Sequence, residues 1–178
     1  MKTPMGWLAL ALTLTLAVPL QPALAEARDP MSHFFMSKMG DFKEELATAK
    51  QEGKAGVLIM FEMEECPFCA RMKGTVLNQS EVQDWFRKHF LIYTVDVKGG
   101  TDMTDFQGNA TTEKAFALAN RARATPTFLF FDLEGRLVTR FTGATQTPEE
   151  FLLLGRYVVE GAYKTQPFNI YKHQASKR

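Results

Sequence analysis

The sequence predicts an α/β domain with a central mixed β-sheet of about four to five strands flanked by helices. The first observation is that short apolar runs alternate with segments whose apolar residues recur every three or four positions. The second is a tight turn, Leu133-Glu134-Gly135, between two strand-like runs, which predicts a β-hairpin. The third is a helix-start signal, Thr147-Pro148-Glu149-Glu150, directly after that hairpin. A strand–helix–strand unit followed by a hairpin and a covering helix gives a mixed sheet with helices on both faces.

The first elements are predicted from periodicity and from end signals. Between residues 33 and 52 apolar side chains recur at helical spacing, which predicts an N-terminal helix that ends at Gly53. The uninterrupted apolar run Val57–Phe61 predicts a buried central strand. A second helix is expected from Pro67 to about Asn78, because proline is favoured in the first turn of a helix.

The middle of the chain continues the alternation. Ser80 is a suitable N-cap for a helix through residue 89, and the apolar run 90–97 predicts a second buried strand. Residues 98–112 are polar and glycine-rich, and we interpret them as an insertion that contains a short hairpin. A short helix at 113–123 then leads to the two strands of the C-terminal hairpin, at 127–132 and 136–142.

Residues 1–25 have the pattern of a secretory signal peptide. Lys2 precedes an apolar stretch of about a dozen residues, and Ala23-Leu24-Ala25 matches a small-residue cleavage site. An uncleaved anchor is the alternative, but Pro19 and Pro22 interrupt the apolar run too early for a span of about 20 residues. We therefore expect export, cleavage after Ala25, a soluble product without a membrane span, and flexibility at residues 26–32.

Charge and length restrict the class of partner. The chain has 21 basic and 20 acidic residues, a balance that argues against nucleic acid or an anionic membrane as its main partner. The length after residue 25 suits one domain, which we place at 26–163. The basic segment 164–178 is expected to be a solvated tail.

The two cysteines of the chain form the motif Cys66-Pro67-Phe68-Cys69. Two residues between them allow a small disulfide that can close and reopen. The motif lies between a predicted strand and a predicted helix, so Cys66 is expected at a helix N-terminus. Unpaired N–H groups and the helix dipole favour a thiolate there, which makes the thiol a nucleophile.

Other interpretations of the pair remain open. A static disulfide is one, although so short a loop gives little entropic stabilisation. Zinc normally takes four ligands, whereas the chain has one cysteine pair and three scattered histidines, His33, His89 and His173. Copper(I) binds two thiolates well, and three methionines lie near the pair in sequence, although methionine at such spacing is more often core filler: Met60, Met63 and Met72.

These segments together resemble the thioredoxin superfamily, over roughly residues 56–161. Within it the chain is similar to exported thioredoxins of the SoxW type. The similar segments are Phe61-Glu62-Met63-Glu64-Glu65-Cys66-Pro67-Phe68-Cys69-Ala70-Arg71-Met72, Thr104-Asp105-Phe106, Thr125-Pro126-Thr127-Phe128-Leu129-Phe130-Phe131-Asp132, Glu149-Glu150-Phe151 and Tyr157-Val158-Val159-Glu160-Gly161-Ala162-Tyr163.

The resemblance implies roles for particular residues. Cys66 is expected to be an exposed nucleophile and Cys69 the more buried resolving cysteine. Pro126 is expected to be a cis-proline facing the pair. An exposed apolar lip is expected to contact the substrate, with its backbone at Thr125 free to pair with a peptide strand: Pro67, Phe68, Thr125 and Pro126.

One departure from the family concerns the proton acceptor for the resolving thiol. Cytosolic thioredoxins carry a buried aspartate at the position of Met60. Three acids precede the pair and are alternative acceptors or simply a solvated rim: Glu62, Glu64 and Glu65.

The resemblance implies a periplasmic thiol–disulfide oxidoreductase that reduces disulfides of exported proteins, and we expect a monomer. Electrons would come from a membrane thiol donor, and no organic cofactor or metal is expected. The alternatives are a Dsb-type oxidase or isomerase, a periplasmic copper(I) carrier, and a non-catalytic binding module. The uncharged Pro67 and Phe68 argue mildly against an extreme oxidant.

Overall fold

The computed structural model describes residues 26–37 and 40–177, so the predicted signal peptide lies outside the described residues. Four strands form the main sheet in the order β2-β1-β5-β6, and two short strands form a separate hairpin. The elements are α1 (Pro30–His33), α2 (Phe42–Gln51), β1 (Gly56–Glu62), α3 (Pro67–Thr75), α4 (Ser80–His89), β2 (Phe90–Asp96), β3 (Asp102–Thr104), β4 (Ala110–Thr112), α5 (Glu113–Ala119), β5 (Thr127–Phe131), β6 (Leu137–Thr142), α6 (Pro148–Val159) and α7 (Phe168–Ala175).

The main sheet confirms the predicted mixed topology. Strand β1 pairs parallel with β2, from Gly56 opposite Phe90 to Glu62 opposite Asp96. On its other side β1 pairs antiparallel with β5, and β5 pairs antiparallel with β6 through the predicted tight turn. Glycine is required at position 56, because a Cβ there would lie 2.0 Å from the Phe131 carbonyl oxygen. The insertion at 98–112 contains the predicted hairpin, formed by β3 and β4.

Two aromatic clusters, one on each side of the sheet, form the core. One lies under α4 and α6, where the Phe86 and Phe151 rings stack 4.5 Å apart, and it includes both cysteines. The α4–α6 contact needs Gly155, since a Cβ there would lie 2.3 Å from the Trp85 ring. The second cluster lies under α2 and α5, where the Phe42 ring packs against neighbouring rings. The sheet is therefore buried on both faces, as its continuous apolar strands predict.

The single helix predicted at 33–52 is wrong. The structure has the short helix α1 and the separate helix α2, whose N-cap Asp41 accepts hydrogen bonds from the amides of Lys43 and Glu44. Before it, Gly40 adopts φ +85°, and its carbonyl accepts a hydrogen bond from the Thr104 amide. The aromatic residues before this break belong to the cluster under α4 and α6, and those after it belong to the cluster under α2 and α5. One straight helix would not reach both clusters.

Of two predicted helix starts, one is confirmed and the other is displaced by one residue. Pro148 begins α6, and the Thr147 hydroxyl accepts a hydrogen bond from the Glu150 amide, as predicted. Ser80 is the first residue of α4 rather than its N-cap, a position that Gln79 takes without a side-chain hydrogen bond.

Residues 26–32 are not the flexible segment that we predicted. The Arg28 amide donates to the Asn78 carbonyl at 2.7 Å, and the Ser80 amide donates to the Glu26 carbonyl at 3.1 Å. The side chain of the fully buried Gln83 donates to the Arg28 carbonyl at 3.0 Å. Among residues 26–37 and 40–177, no helix is long and apolar enough to cross a membrane.

The predicted tail is exposed to solvent, with no buried residue in α7, but it forms this helix against α6 rather than an unstructured end. The Phe168 ring lies 5.4 Å from the Tyr157 ring, and the Tyr157 hydroxyl donates to the Gln166 carbonyl at 2.7 Å. Lys172 forms an ion pair with Glu150. Partial burial opposes ionisation of Glu150, but the hydrogen bonds from Lys172 and the Gln146 amide, together with the Lys172 charge, outweigh it and leave the pKa of Glu150 lowered. The basic composition of this segment did not predict these contacts, because its aromatic residues meet the residues that they pack against only in the folded chain.

A buried pair of titratable groups links stability to alkaline pH. The Tyr93 hydroxyl, on β2, donates a hydrogen bond to the Glu45 carboxylate, on α2, and both side chains are buried. Burial, followed by the hydrogen bond to Glu45 and its charge, raises the pKa of Tyr93 far above its ordinary value. The folded protein therefore keeps this proton at a pH where the unfolded chain loses it. Stability from this group is complete below about pH 10 and falls as the pH rises further.

Substitution of Tyr93 by phenylalanine is expected to weaken the loss of stability above pH 10. The slope of the free energy of unfolding should become shallower by up to about 1.4 kcal/mol per pH unit. At neutral pH the variant should lose roughly 1–3 kcal/mol, because the buried Glu45 carboxylate loses its donor. Urea unfolding from pH 7 to 11 measures both effects. Tyr163→Phe is the control that should keep the wild-type slope, and an unchanged slope in Tyr93→Phe would contradict this assignment.

Candidate active site

Cys66 is the N-cap of α3, as the motif predicts. Its backbone is extended, with φ −124° and ψ 96°, and its Sγ accepts a hydrogen bond from the Cys69 amide at 3.1 Å. Pro67 occupies the first turn, where a missing N–H leaves no helix hydrogen bond unmade. The sulfur of Cys66 therefore lies at the positive end of the helix dipole, which favours a thiolate in the reduced protein.

The two cysteines form a disulfide, with their Cα atoms 5.2 Å apart. Cys66 is only 6% exposed and Cys69 3%, so the expected exposure of Cys66 is wrong for this oxidised form. The physical reason is the packing around the sulfur, because Cys66 belongs to the α4–α6 core cluster and the Thr125 hydroxyl lies 3.2 Å from its Sγ. Access to the disulfide is thus limited in this form.

The Thr125–Pro126 peptide bond is cis, as predicted. The Thr125 hydroxyl donates to Cys66 Sγ, so this loop and the disulfide are in direct contact. The Pro126 carbonyl accepts a hydrogen bond from the Gly143 amide at 2.8 Å, which ties the loop to the end of β6. Among the described residues, the amide and carbonyl of Thr125 make no backbone hydrogen bond. That backbone is available to an extended peptide.

The predicted apolar lip is partly confirmed in position. Phe68 is 59% exposed and Pro67 is also exposed, so both present apolar surface beside the disulfide. The Arg71 guanidinium lies 5.7 Å from the centre of the Phe68 ring. Thr125 is half-buried, whereas Pro126 is buried and does not contribute an exposed surface. The lip in front of the disulfide therefore consists of Pro67, Phe68 and Thr125.

A cavity of about 500 Å³ opens beside the disulfide. It is polar for a site so close to the core, because charged residues line it together with both cysteines: Glu62, Glu64, Lys73, Asp96 and Glu113. Glu62 and Lys73 form an ion pair, and the Asp96 amide lies 3.5 Å from a Glu113 carboxylate oxygen. Glu113 is only 8% exposed. Carboxylates therefore share one cavity with Cys69.

Of these cavity residues, sequence reasoning missed Lys73, Asp96 and Glu113. The sequence does carry a signal for Asp96, since it is the last residue of β2. The carboxyl ends of parallel strands meet at one edge of a sheet, which places Asp96 near the end of β1. Of the acids before the motif, Glu62 and the exposed Glu64 line the cavity, whereas Glu65 is exposed and does not. Met60, at the position of the family's buried aspartate, is fully buried in the core.

The methionines near the motif pack as core residues. Met60 and Met72 are fully buried, and the Thr145 hydroxyl contacts the Met72 sulfur at 3.6 Å. Met63 is half-buried and lines the cavity. Within residues 26–37 and 40–177, no group of three or more histidine, cysteine, aspartate or glutamate side chains is arranged to hold a metal ion.

Comparison with known families gives one match. A family model described as a thioredoxin-like domain matches residues 42–159, which contain the cysteine pair, the cis-proline and all four strands of the main sheet. No curated protein sequence matches the chain.

Solved structures share the fold. A thioredoxin-fold protein from Helicobacter pylori is 19% identical, with TM-score 0.58, covering 71% of this chain and 88% of that one. A putative disulphide-isomerase from Bacteroides thetaiotaomicron is 25% identical, with TM-score 0.54, covering 78% of this chain and 98% of that one. A thioredoxin from Thermus thermophilus is 29% identical, with TM-score 0.52, covering 66% of this chain and 83% of that one.

Removal of the Thr125 hydroxyl is expected to make reduced Cys66 less reactive. Thr125→Val loses the donor to the Cys66 sulfur, so the thiolate fraction at neutral pH should fall and alkylation by iodoacetamide should slow about threefold to tenfold. Thr75→Val is a matched control, because the Thr75 hydroxyl bonds the Arg71 carbonyl on the outside of α3. Equal alkylation rates in the two variants would mean that the Thr125 hydroxyl does not act on the thiolate.

Proposed function

The chain belongs to the thioredoxin-like domain family, and we propose that it is a periplasmic thiol–disulfide oxidoreductase that reduces disulfides of exported proteins. The observation that carries this proposal is the contact between the Cys66–Cys69 disulfide at the start of α3 and the cis Thr125–Pro126 loop, whose backbone is open to a peptide. A static structural disulfide needs neither the helix N-terminus at its first sulfur nor an unpaired backbone beside it.

The chemistry is a two-step exchange. In the reduced protein the Cys66 thiolate attacks one sulfur of the target disulfide, whose S–S bond breaks and releases a thiolate. Cys69 then loses its proton and attacks Cys66 Sγ, which breaks the mixed disulfide and releases the second target thiol. The Cys66–Cys69 disulfide of this structure is the product. Two electrons and two protons pass to the target, and a dithiol donor must return them before the next cycle.

The loop at Thr125 and the exposed ring of Phe68 hold the target in this scheme. An extended target segment pairs with the open backbone of Thr125 and brings its disulfide over Cys66. Pro67 and Phe68 supply the apolar surface around it, and the Thr125 hydroxyl stabilises the Cys66 thiolate both before attack and when it becomes the leaving group.

The cavity carboxylates supply the proton acceptor for Cys69. A resolving thiol attacks only as thiolate, so its proton needs an acceptor within reach or through water. Glu62, paired with Lys73, and the buried Glu113 share the cavity with Cys69.

Three further observations support, in turn, the thiol–disulfide chemistry, the direction of electron flow and the compartment. The two solved neighbours at 25% and 29% identity are named a putative disulphide-isomerase and a thioredoxin, so thiol–disulfide chemistry is a property of similar proteins. No charge stands between the cysteines to stabilise an extreme oxidant. The signal-like residues 1–25 and the resemblance to exported SoxW-type proteins favour the periplasm, with a membrane thiol donor as the source of electrons.

The reduction potential of Cys66–Cys69 tests the direction. Equilibration with graded glutathione buffers should give a value near or below about −230 mV, in the range of thioredoxin-type reductants. A value of about −120 to −180 mV would contradict reduction and favour an oxidase or isomerase. Cys69→Ser is the control for the redox signal, because Cys66 alone cannot form the intramolecular disulfide.

Loss of a cavity carboxylate is expected to slow the second step and leave the first unchanged. In Glu62→Gln and Glu113→Gln variants the mixed disulfide between Cys66 and a target peptide should persist about a hundredfold longer, which is the low end of the effect expected from loss of a general base. Stopped-flow quenching with acid and mass spectrometry measures both steps. Glu44→Gln, on the outside of α2, is the control. Release as fast as in the wild-type protein in both cavity variants would exclude these carboxylates as acceptors.

A further inference from the structure

Gly99 lies in the turn that follows β2, directly against the carboxylate of Glu113. A Cβ atom at residue 99 would lie 2.1 Å from Glu113 Oε2 and 3.0 Å from its Cδ. We propose that Gly99 is a positioning residue, which by having no side chain sets where the Glu113 carboxylate lies in the cavity beside the disulfide. This inference rests on the proposed function, because it concerns the second step of the same exchange.

The turn after β2 contacts both oxygens of the Glu113 carboxylate. The Gly99 amide donates a hydrogen bond to the Asp96 carbonyl at 3.0 Å, which closes the turn. The Asp96 amide lies 3.5 Å from Glu113 Oε1, and Gly99 lies against Oε2. Glu113 is buried and lines the cavity together with both cysteines. The place of its carboxylate is therefore set by the packing of this turn.

The backbone of Glu113 is held by the start of the insertion at 98–112. The Glu113 amide donates to the Thr101 carbonyl at 3.1 Å, and the Lys114 amide donates to the Gly99 carbonyl at 2.9 Å. Glu113 is also the first residue of α5, so the insertion begins and ends at the same place. With its backbone fixed in this way, Glu113 can yield to an added atom only through its side chain.

A methyl group at residue 99 would displace the carboxylate without unfolding the chain. Ordinary contact begins near 3.4 Å, so Oε2 must move by roughly 1 Å, a misplacement that can slow a catalysed step about a hundredfold. The displaced atom is the end of a flexible side chain, which moves at little cost. The same methyl group would lie 3.1 Å from Asp96 Cβ, a close contact that a shift of a few tenths of an ångström relieves.

The displaced carboxylate would act on the second step of the exchange alone. In that step Glu113 takes the proton of Cys69, and the Cys69 thiolate bonds to Cys66 Sγ as the bond from Cys66 to the target sulfur breaks. The target leaves as a thiolate and takes up a proton, while Glu113 gives up the one it received. The first step needs only the Cys66 thiolate, which the helix N-terminus and the Thr125 hydroxyl stabilise.

The test compares Gly99→Ala with Gly100→Ala. A Cβ at residue 100 meets no atom within 4 Å, and neither glycine has a positive φ, so the neighbouring substitution is a matched control. Each reduced variant is mixed with a disulfide-linked peptide homodimer, quenched with acid and analysed by mass spectrometry. The mixed disulfide should persist about a hundredfold longer in Gly99→Ala and as long as in the wild-type protein in Gly100→Ala.

Two further variants separate positioning from a general disturbance of the site. With Cys69→Ser the exchange stops at the mixed disulfide, so the first step is measured directly, and adding Gly99→Ala should leave its rate unchanged. In a Glu113→Gln background, adding Gly99→Ala should cause no further slowing, because the carboxylate that it displaces is already lost. An effect that does not pass through Glu113 would slow the second step again by the same factor.

Glu113→Asp tests the same position while leaving residue 99 untouched. It keeps the acid but withdraws the carboxylate by one methylene, so the second step should again slow while the first step keeps its rate. Urea unfolding of each variant shows that the fold is retained.

The outcomes distinguish the two proposals. A wild-type second step in Gly99→Ala or in Glu113→Asp, an equal loss in Gly100→Ala, a first step slowed as much as the second, or additive losses in the double variant would each overturn the positioning role and leave the oxidoreductase intact. Failure of the wild-type protein to reduce the peptide would overturn the proposed function and this inference with it.

Discussion

The position of β1 between β2 and β5 is the constraint on which the whole site depends. Parallel pairing with β2 brings the ends of both strands, Glu62 and Asp96, to one edge of the sheet. Antiparallel pairing with β5 places the start of that strand at the same edge, with Thr127 opposite Phe61. The cysteine motif follows β1 and the cis-proline loop precedes β5. One register of one buried strand therefore brings together the disulfide, the loop and the cavity.

That strand can be central only because apolar material covers both faces of the sheet. Helices α4 and α6 supply one layer and α2 and α5 the other. The close approach at Gly155 lets α4 and α6 pack as a pair, and α7 adds a further layer to α6. The disulfide lies at the margin of the first cluster, so α3 is anchored by burial of Cys69 and Met72 while its first turn reaches the surface.

The two cysteines have different surroundings although only two residues separate them. Cys66 faces the peptide-accessible loop, where a hydroxyl and a helix N-terminus stabilise negative charge. Both cysteines line a cavity that contains several carboxylates and one lysine. The contact of Cys66 with the Thr125 hydroxyl at a helix N-terminus suits that cysteine as the nucleophile.

The sequence by itself determined the strands, the hairpin, the start of α6, the cysteine motif and, through family resemblance, the cis-proline. These features have local causes: apolar runs, turn residues and the preferences of helix ends. Only the tertiary structure decided the break before α2, the ordered N-terminal residues and the packing of α7, since periodicity does not say which of two cores a side chain joins. It also decided the burial of Cys66 and the grouping of Lys73, Asp96 and Glu113, which are distant in sequence and meet only when the strands pair.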